Sequence, residues 1–101
     1  MKILNFGSCN IDYVYRVDHI AKEGETLSCK SRQIFPGGKG LNQSVALARA
    51  GAQVFHAGCV GVNEIELCEI MASSGVKLEL LKRVEAETGH TVVQVDKNGK
   101  N

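Results

Sequence analysis

Hydrophobic and polar positions change period several times along the chain. Lys2-Ile3-Leu4-Asn5-Phe6-Gly7 reads as a short strand ending in glycine. Such strand-to-loop ends are where open α/β sheets place their ligands. From Asn10 to Val17 the pattern alternates, with Ile11, Tyr13, Tyr15 and Val17 on one face and Asn10, Asp12, Val14 and Arg16 on the other. A period of two with β-branched and aromatic residues predicts a strand. Lys22-Glu23-Gly24-Glu25 is a polar turn, and Thr26 to Phe35 carries a mixed pattern read as a further strand.

Pro36-Gly37-Gly38-Lys39-Gly40 then breaks the pattern. Leu41, Val45, Ala48 and Ala52 share a helical stripe, widened by Ala46, Leu47 and Ala50. That helix is expected to start within a residue or two of Lys39 and to stop at Gly51, in the usual position just past a helix end. Gln53 to Val60 is a mostly apolar run of strand length. Asn63 with Glu66 three residues later forms a variant capping box for a helix carrying Leu67, Ile70, Met71 and Ser74, which Gly75 closes. Leu78 to Val84 and His90 to Val95 read as strands, and Asp96-Lys97-Asn98-Gly99 ends the second with a hairpin-type Asn-Gly. The order β, β insertion, α, β, α, β, β predicts right-handed crossovers and a mainly parallel α/β sheet. The sequence runs out just after a hairpin signal, so a chain interrupted inside a domain is expected.

Composition narrows the classes. The chain has 101 residues, 44% hydrophobic and 23% charged, which argues against disorder. Twelve Lys and Arg against 11 Asp and Glu leave a formal +1, without the basic excess of a nucleic-acid binder. No apolar run approaches the ~20 residues of a membrane span. The N-terminal stretch lacks a signal-peptide pattern, so the expected compartment is the cytoplasm. Cys9, Cys29, Cys59 and Cys68 form no C-x-x-C pair and have no histidine at zinc-finger spacing, so they read as reduced, packed thiols and no metal site is expected. A chain this short buries only about 60–65% of its unfolded surface, leaving little room for two substrate sites and a catalytic apparatus.

The Gly37-Gly38-Lys39-Gly40-Leu41-Asn42-Gln43 segment is the strongest candidate for chemistry. Glycines before a helix let a ligand approach N–H groups at the positive end of the helix dipole. Lys39 adds a charge, and Asn42 adds a two-way hydrogen bonder one turn in. The segment is neither a Walker A loop, since Gly40 follows Lys39, nor a G-x-G-x-x-G fingerprint. A plain turn into a helix is the alternative, but two glycines would suffice for that. Asn10 and Asp12 point to one face of their strand, where a carboxylate beside an amide suits a vicinal diol; a polar turn is the competing reading for Asp12. His56, in an apolar strand, reads as a satisfied core histidine, and Tyr13, Tyr15 and Phe35 read as packing. No Ser-His-Asp arrangement can be argued.

Taken together, the segments resemble the N-terminal third of a ribokinase-like (PfkB-type) carbohydrate kinase. The likeness runs through Gly7-Ser8-Cys9-Asn10-Ile11-Asp12, Gly24-Glu25-Thr26, Gly37 to Gln43, Ala48-Arg49-Ala50-Gly51-Ala52, Gly58-Cys59-Val60-Gly61, Gly75-Val76 and Thr88-Gly89. It departs where Asn63-Glu64 replace the family's usual acidic residue and glycine. It implies an incomplete three-layer α/β sandwich with a small β lid within about residues 12–35. It also implies that Asn10 and Asp12 bind sugar hydroxyls, Gly38 and Lys39 line the sugar pocket, and Asn42 contacts the far hydroxyls. The implied reaction is ATP-dependent phosphorylation of a ribose-like furanose, with ATP and Mg2+ and, as a further candidate, a monovalent cation. None of these is held by this chain alone. The family's Gly-Ala-Gly-Asp segment, with its catalytic aspartate, does not occur here, so no catalytic residue is assigned and the 101-residue chain is expected to be inactive by itself. A homodimer through the lid or through an exposed sheet edge is expected, with the strand of Leu4 or that of Val93 as the edge. Neither nucleic acid nor membrane is an expected partner. The alternatives are a non-catalytic sugar-binding or dimerising module, or a kinase for fructose, a nucleoside or a keto-deoxy sugar acid.

Overall fold

A computed structural model describes residues 1–101. The elements run β1 (Lys2–Phe6), β2 (Asn10–Arg16), β3 (Ser31–Gly37), α1 (Lys39–Arg49), β4 (Gln53–Gly61), α2 (Glu66–Ser73), β5 (Leu81–Val84) and β6 (His90–Val95). They form two three-stranded sheets, ordered β1-β4-β5 and β3-β2-β6. The first is wholly parallel. The second is mixed, with β2 antiparallel to β3 and parallel to β6.

Both helices cover one face of the first sheet, where Val54, His56 and Val60 of β4 are buried. The core joins Cys9, Leu41, Val60, Leu67, Cys68, Met71 and Val76. The opposite face is bare: Leu4 is 64% exposed and Phe6 84%. The chain thus supplies two layers of an α/β sandwich, and an apolar parallel-sheet face that ordinarily lies covered. The radius of gyration, 16.0 Å, exceeds the ~13 Å of a compact 100-residue chain, because the second sheet extends away from the first.

Several expectations are corrected. β6 belongs to the second sheet, beside β2, so the insertion recruits a strand from far along the chain rather than only from residues 12–35. The strand expected over Thr26–Phe35 begins at Ser31 and continues through Pro36 and Gly37. Pro36 is tolerated because β3 is an edge strand and needs no outward ladder donor. The strand expected over Leu78–Val84 begins at Leu81 rather than Leu78. Asn63 and Glu66 form no capping box. Ile65 occupies the cap position of α2, and the Leu67 N–H is instead accepted by the Glu64 carboxylate at 3.3 Å. Helix α1 starts at Lys39 as expected, and Gly51, at φ +99°, follows its end.

Candidate functional site

The site is built where the two sheets meet. Asn10 and Asp12 lie two residues apart on β2, opposite Gly37 and Phe35 of β3. The Asp12 carboxylate sits over Gly37: a Cβ there would be 2.6 Å from Oδ2. The Asn10 side chain sits over Gly89, where a Cβ would be 2.7 Å from Oδ1. Glycine at these two positions leaves room for the polar side chains beside the backbone. Thr91 Oγ1, from β6, donates to Asp12 Oδ1 at 2.6 Å. That bond fixes the carboxylate and leaves its second oxygen free to accept from a hydroxyl.

Gly38 leads from this strand pair into α1. Its φ of +98° suits glycine, and a Cβ would lie 2.7 Å from the Ser8 carbonyl oxygen. The turn is secured by the Leu41 N–H donating to Ser8 O at 2.9 Å and the Asn42 N–H donating to Gly38 O at 3.0 Å. Lys39 and Asn42 are exposed in the first helical turn. That turn contains no acidic residue. A lysine at the positive end of a helix is electrostatically unfavourable by itself, so its charge is available to an electron-rich ligand rather than to the fold.

The five residues expected to bind ligand therefore lie along one junction: Asn10 and Asp12 on β2, then Gly38, Lys39 and Asn42 just beyond the β3 residue that Asp12 overlies. Thr91 joins them from β6, and Gly89 from the position just before that strand. The sequence pattern placed Thr91 on an alternating strand but gave no sign of that strand's partner. Phe35 pairs with Asp12 across β2 and β3, whereas Tyr13 pairs with Ile34, so the three aromatic residues do not form one packing set. Tyr13 stands edge-on to His90, with ring centroids 5.8 Å apart, and under the Arg32 guanidinium at 5.5 Å. A cavity of about 850 Å³ lies on this other side of β2, lined by Ile11, Tyr13, Tyr15, Glu64 and His90 among others, and it contains none of the five.

His56 is fully buried, as its apolar strand implied. Its Nε2 lies 3.0 Å from the Gly7 carbonyl oxygen and 3.1 Å from Cys9 Sγ, and its Nδ1 lies 2.6 Å from Ser44 Oγ. Burial pushes the Cys9 thiol up to about 11. Such a thiol is protonated near neutral pH and is no nucleophile. No group of His, Cys, Asp and Glu side chains converges in a way that could hold a metal ion, and no helix is long and apolar enough to cross a membrane.

The sequence model of the pfkB family of carbohydrate kinases matches residues 1–101. The chain belongs to the pfkB carbohydrate kinase family. It is 40% identical over 98 residues to a ribokinase of Haemophilus influenzae, an alignment covering 94% of this chain and 32% of that protein. Among pfkB-family structures, the ribokinase of Cryptococcus neoformans in complex with ADP superposes with a TM-score of 0.90 at 40% identity, covering 99% of this chain and 32% of its own. The ribokinase of Arabidopsis thaliana, complexed with ribose and ATP, superposes at 0.80 with 31% identity, covering 99% and 33%. The chain thus spans about a third of the length of these relatives, and its fold is that of the ribokinase group.

Proposed function

We propose that this chain is the acceptor-binding part of a sugar kinase that transfers the ATP γ-phosphoryl group to a hydroxyl of ribose or a related furanose. The observation that carries this reading is the junction itself. Asp12, fixed by Thr91, faces Gly37 at the entrance to a glycine-led helix carrying Lys39 and Asn42. A carboxylate with one free oxygen, two amides and an ammonium group match the donors and acceptors of a polyhydroxyl ring. The β3-β2-β6 sheet acts as the lid over that ring, since it projects from the first sheet and carries Asn10 and Asp12. Closure would exclude water that could otherwise intercept the phosphoryl group.

Phosphoryl transfer is mostly positioning and electrostatic stabilisation. Asn10, Asp12, Gly38, Lys39 and Asn42 supply the positioning of the acceptor. A base must reach the acceptor proton, and Asp12, the one acid in the junction, orients the hydroxyls. The base, the ATP site and Mg2+ binding belong to the family's remaining length. The bare face carrying Leu4 and Phe6 supports this, since it calls for further polypeptide as cover. The free cysteines fit a reducing compartment such as the cytoplasm.

A coupled assay of ADP production tests the reading. A full-length enzyme carrying this chain is expected to consume ATP in a ribose-dependent manner, and the 101-residue chain to show no turnover. Sugar-dependent turnover by the short chain overturns the division of labour. A full-length enzyme that uses fructose, a nucleoside or a keto-deoxy acid but not ribose overturns the choice of acceptor.

A further inference from the structure

We propose that Asn5, Ser44 and His56 form a buried positioning relay that locks the entry of α1 against the end of β1 and so sets the acceptor site, an inference that rests on the sugar-binding reading above. The relay joins three elements. Asn5 lies on β1, Ser44 on α1 and His56 on β4, and the latter two are fully buried.

The acceptors fix the direction of every hydrogen bond. The Gly7 carbonyl can only accept, so His56 Nε2 carries the ring proton and donates to it at 3.0 Å, with Cys9 Sγ, 3.1 Å from the same nitrogen, as a second, weak acceptor. Nδ1 is then the acceptor, and the Ser44 hydroxyl donates to it at 2.6 Å. The Asn5 amide donates to Ser44 Oγ and to the Gly40 carbonyl, each at 2.9 Å. No buried side-chain polar atom is left without a partner. The relay therefore starts on Gly40 and finishes on Gly7. These are the two residues whose backbones touch, since a Cβ on Gly7 would lie 2.8 Å from Gly40 Cα.

An apolar trio would bind the three elements without the desolvation cost of buried polar groups. What apolar packing lacks is direction. Two carbonyls held at opposite ends of one hydrogen-bonded chain fix the rotation of α1 about its first turn as well as its distance. Lys39 and Asn42 flank Gly40 on that turn, and Ser8, which accepts from the Leu41 N–H, follows Gly7 directly. Rotation of the turn would swing Lys39 and Asn42 relative to Asp12. Ser44, Asn5 and His56 touch no substrate in this reading and act through the residues they hold.

Two measurements test the relay. Long-range proton–nitrogen NMR of the unmodified chain is expected to show His56 as the Nε2–H tautomer with a slowly exchanging ring proton. An Nδ1–H tautomer, or a freely exchanging ring, overturns the relay whatever the site binds. In a full-length enzyme carrying this chain, Ser44→Ala is expected to raise the sugar KM about tenfold, the scale of one lost hydrogen bond, with kcat and the KM for ATP within about twofold. An unchanged sugar KM in folded Ser44→Ala, beside a raised one in Asp12→Ala, overturns the relay and leaves the sugar site standing. An unchanged KM in both overturns the sugar-binding reading and the relay's functional role with it. Should Ser44→Ala fail to fold, Asn5→Ala removes the other donor and carries the same expectation.

Discussion

Gly7 and Gly40 meet backbone against backbone: a Cβ on Gly40 would lie 2.5 Å from the Gly7 carbonyl carbon and 2.6 Å from its Cα. The contact lets α1 start directly beside the end of β1. Gly40→Ala is expected to force the two elements apart and to cost about 3 kcal/mol or more, the upper range for overpacking a tight site. Gly51→Ala is the contrast, since Gly51 has φ +99° with nothing within 4 Å of the added carbon. Its cost is the backbone strain alone, about 1–2 kcal/mol. Urea titration of the two variants checks the order.

Asp12 and Thr91 give a graded test of the acceptor site in a full-length enzyme. Asp12→Ala removes the group proposed to bind sugar hydroxyls. It is expected to raise the sugar KM about a hundredfold, the scale of losing a charge-assisted hydrogen bond, and to leave the KM for ATP unchanged. Thr91→Val keeps the carboxylate but frees it to rotate, and a rise of about tenfold or less is expected. Steady-state kinetics with both substrates varied separates the two.

The start and stop of α1 were legible because two glycines with positive φ, Gly38 and Gly51, bracket an uninterrupted apolar stripe. Asn10 and Asp12 could be placed on one face because alternation is a local property. The partner of β6 was not legible, since pairing between strands far apart in sequence leaves no mark on either strand's own pattern. Thr91 was missed for the same reason. The start of α2 was misplaced because Glu64, Asn63 and Glu66 all have suitable chemistry, and only the path of the chain after Gly61 selects Glu64.

Thiol reactivity should divide the cysteines by burial. Cys9 and Cys68 are buried as expected of packed thiols, whereas Cys29 and Cys59 are exposed, which corrects that expectation for these two. Burial, reinforced by Cys68 and then Cys59, raises Cys9 from 9.0 to about 11. Alkylation of the native chain at pH 8 is expected to label Cys29 and Cys59 and to spare Cys9 and Cys68, read by peptide mass spectrometry. Because the folded value of Cys9 lies above the unfolded one, its contribution is intact below pH 9 and is lost as pH climbs towards about 11. Denaturation midpoints should fall across that interval.

His19 is held between two carboxylates, with Nε2 2.8 Å from Glu25 and Nδ1 3.2 Å from Asp18. The Glu25 hydrogen bond, followed by that of Asp18, raises the imidazole above its ordinary 6.5. The Lys22 backbone and then His19 lower Glu25 below 4.5, and His19 and then Lys97 lower Asp18 below 3.8. The stabilisation from His19 is complete below 6.5 and disappears as pH rises through its elevated value. That from the carboxylates is complete above their ordinary values and disappears on acidification. The 18–25 loop is therefore expected to be tightest between about pH 5 and 6. An NMR titration should show the His19 midpoint falling in Glu25→Gln.

Association is expected through the exposed edges and apolar faces. β3 and β6 are the edges of the second sheet, and β1 is an edge of the first. Ile34 and Phe35 are each 45% exposed and Val92 is 66% exposed. A formal charge of +1 offers little repulsion. Light scattering coupled to size exclusion should give a dimer or a larger species at tens of micromolar. A single species at the monomer mass of 10.9 kDa would show that these surfaces do not self-associate.

The bond from Thr91 to Asp12 spans 79 residues of sequence, and this has a consequence for how the chain is made. β2 can pair with β3 as soon as residue 37 is available, but its other edge stays unfilled until β6 arrives. Loop closure of that length precedes any reward from the contact, which makes it a slow step. During synthesis the Asp12 side chain is therefore produced early and oriented late. The site reaches its final geometry only after both crossovers of the first sheet have been translated. A folding probe placed at Asp12 should report one of the last events in the assembly of this chain.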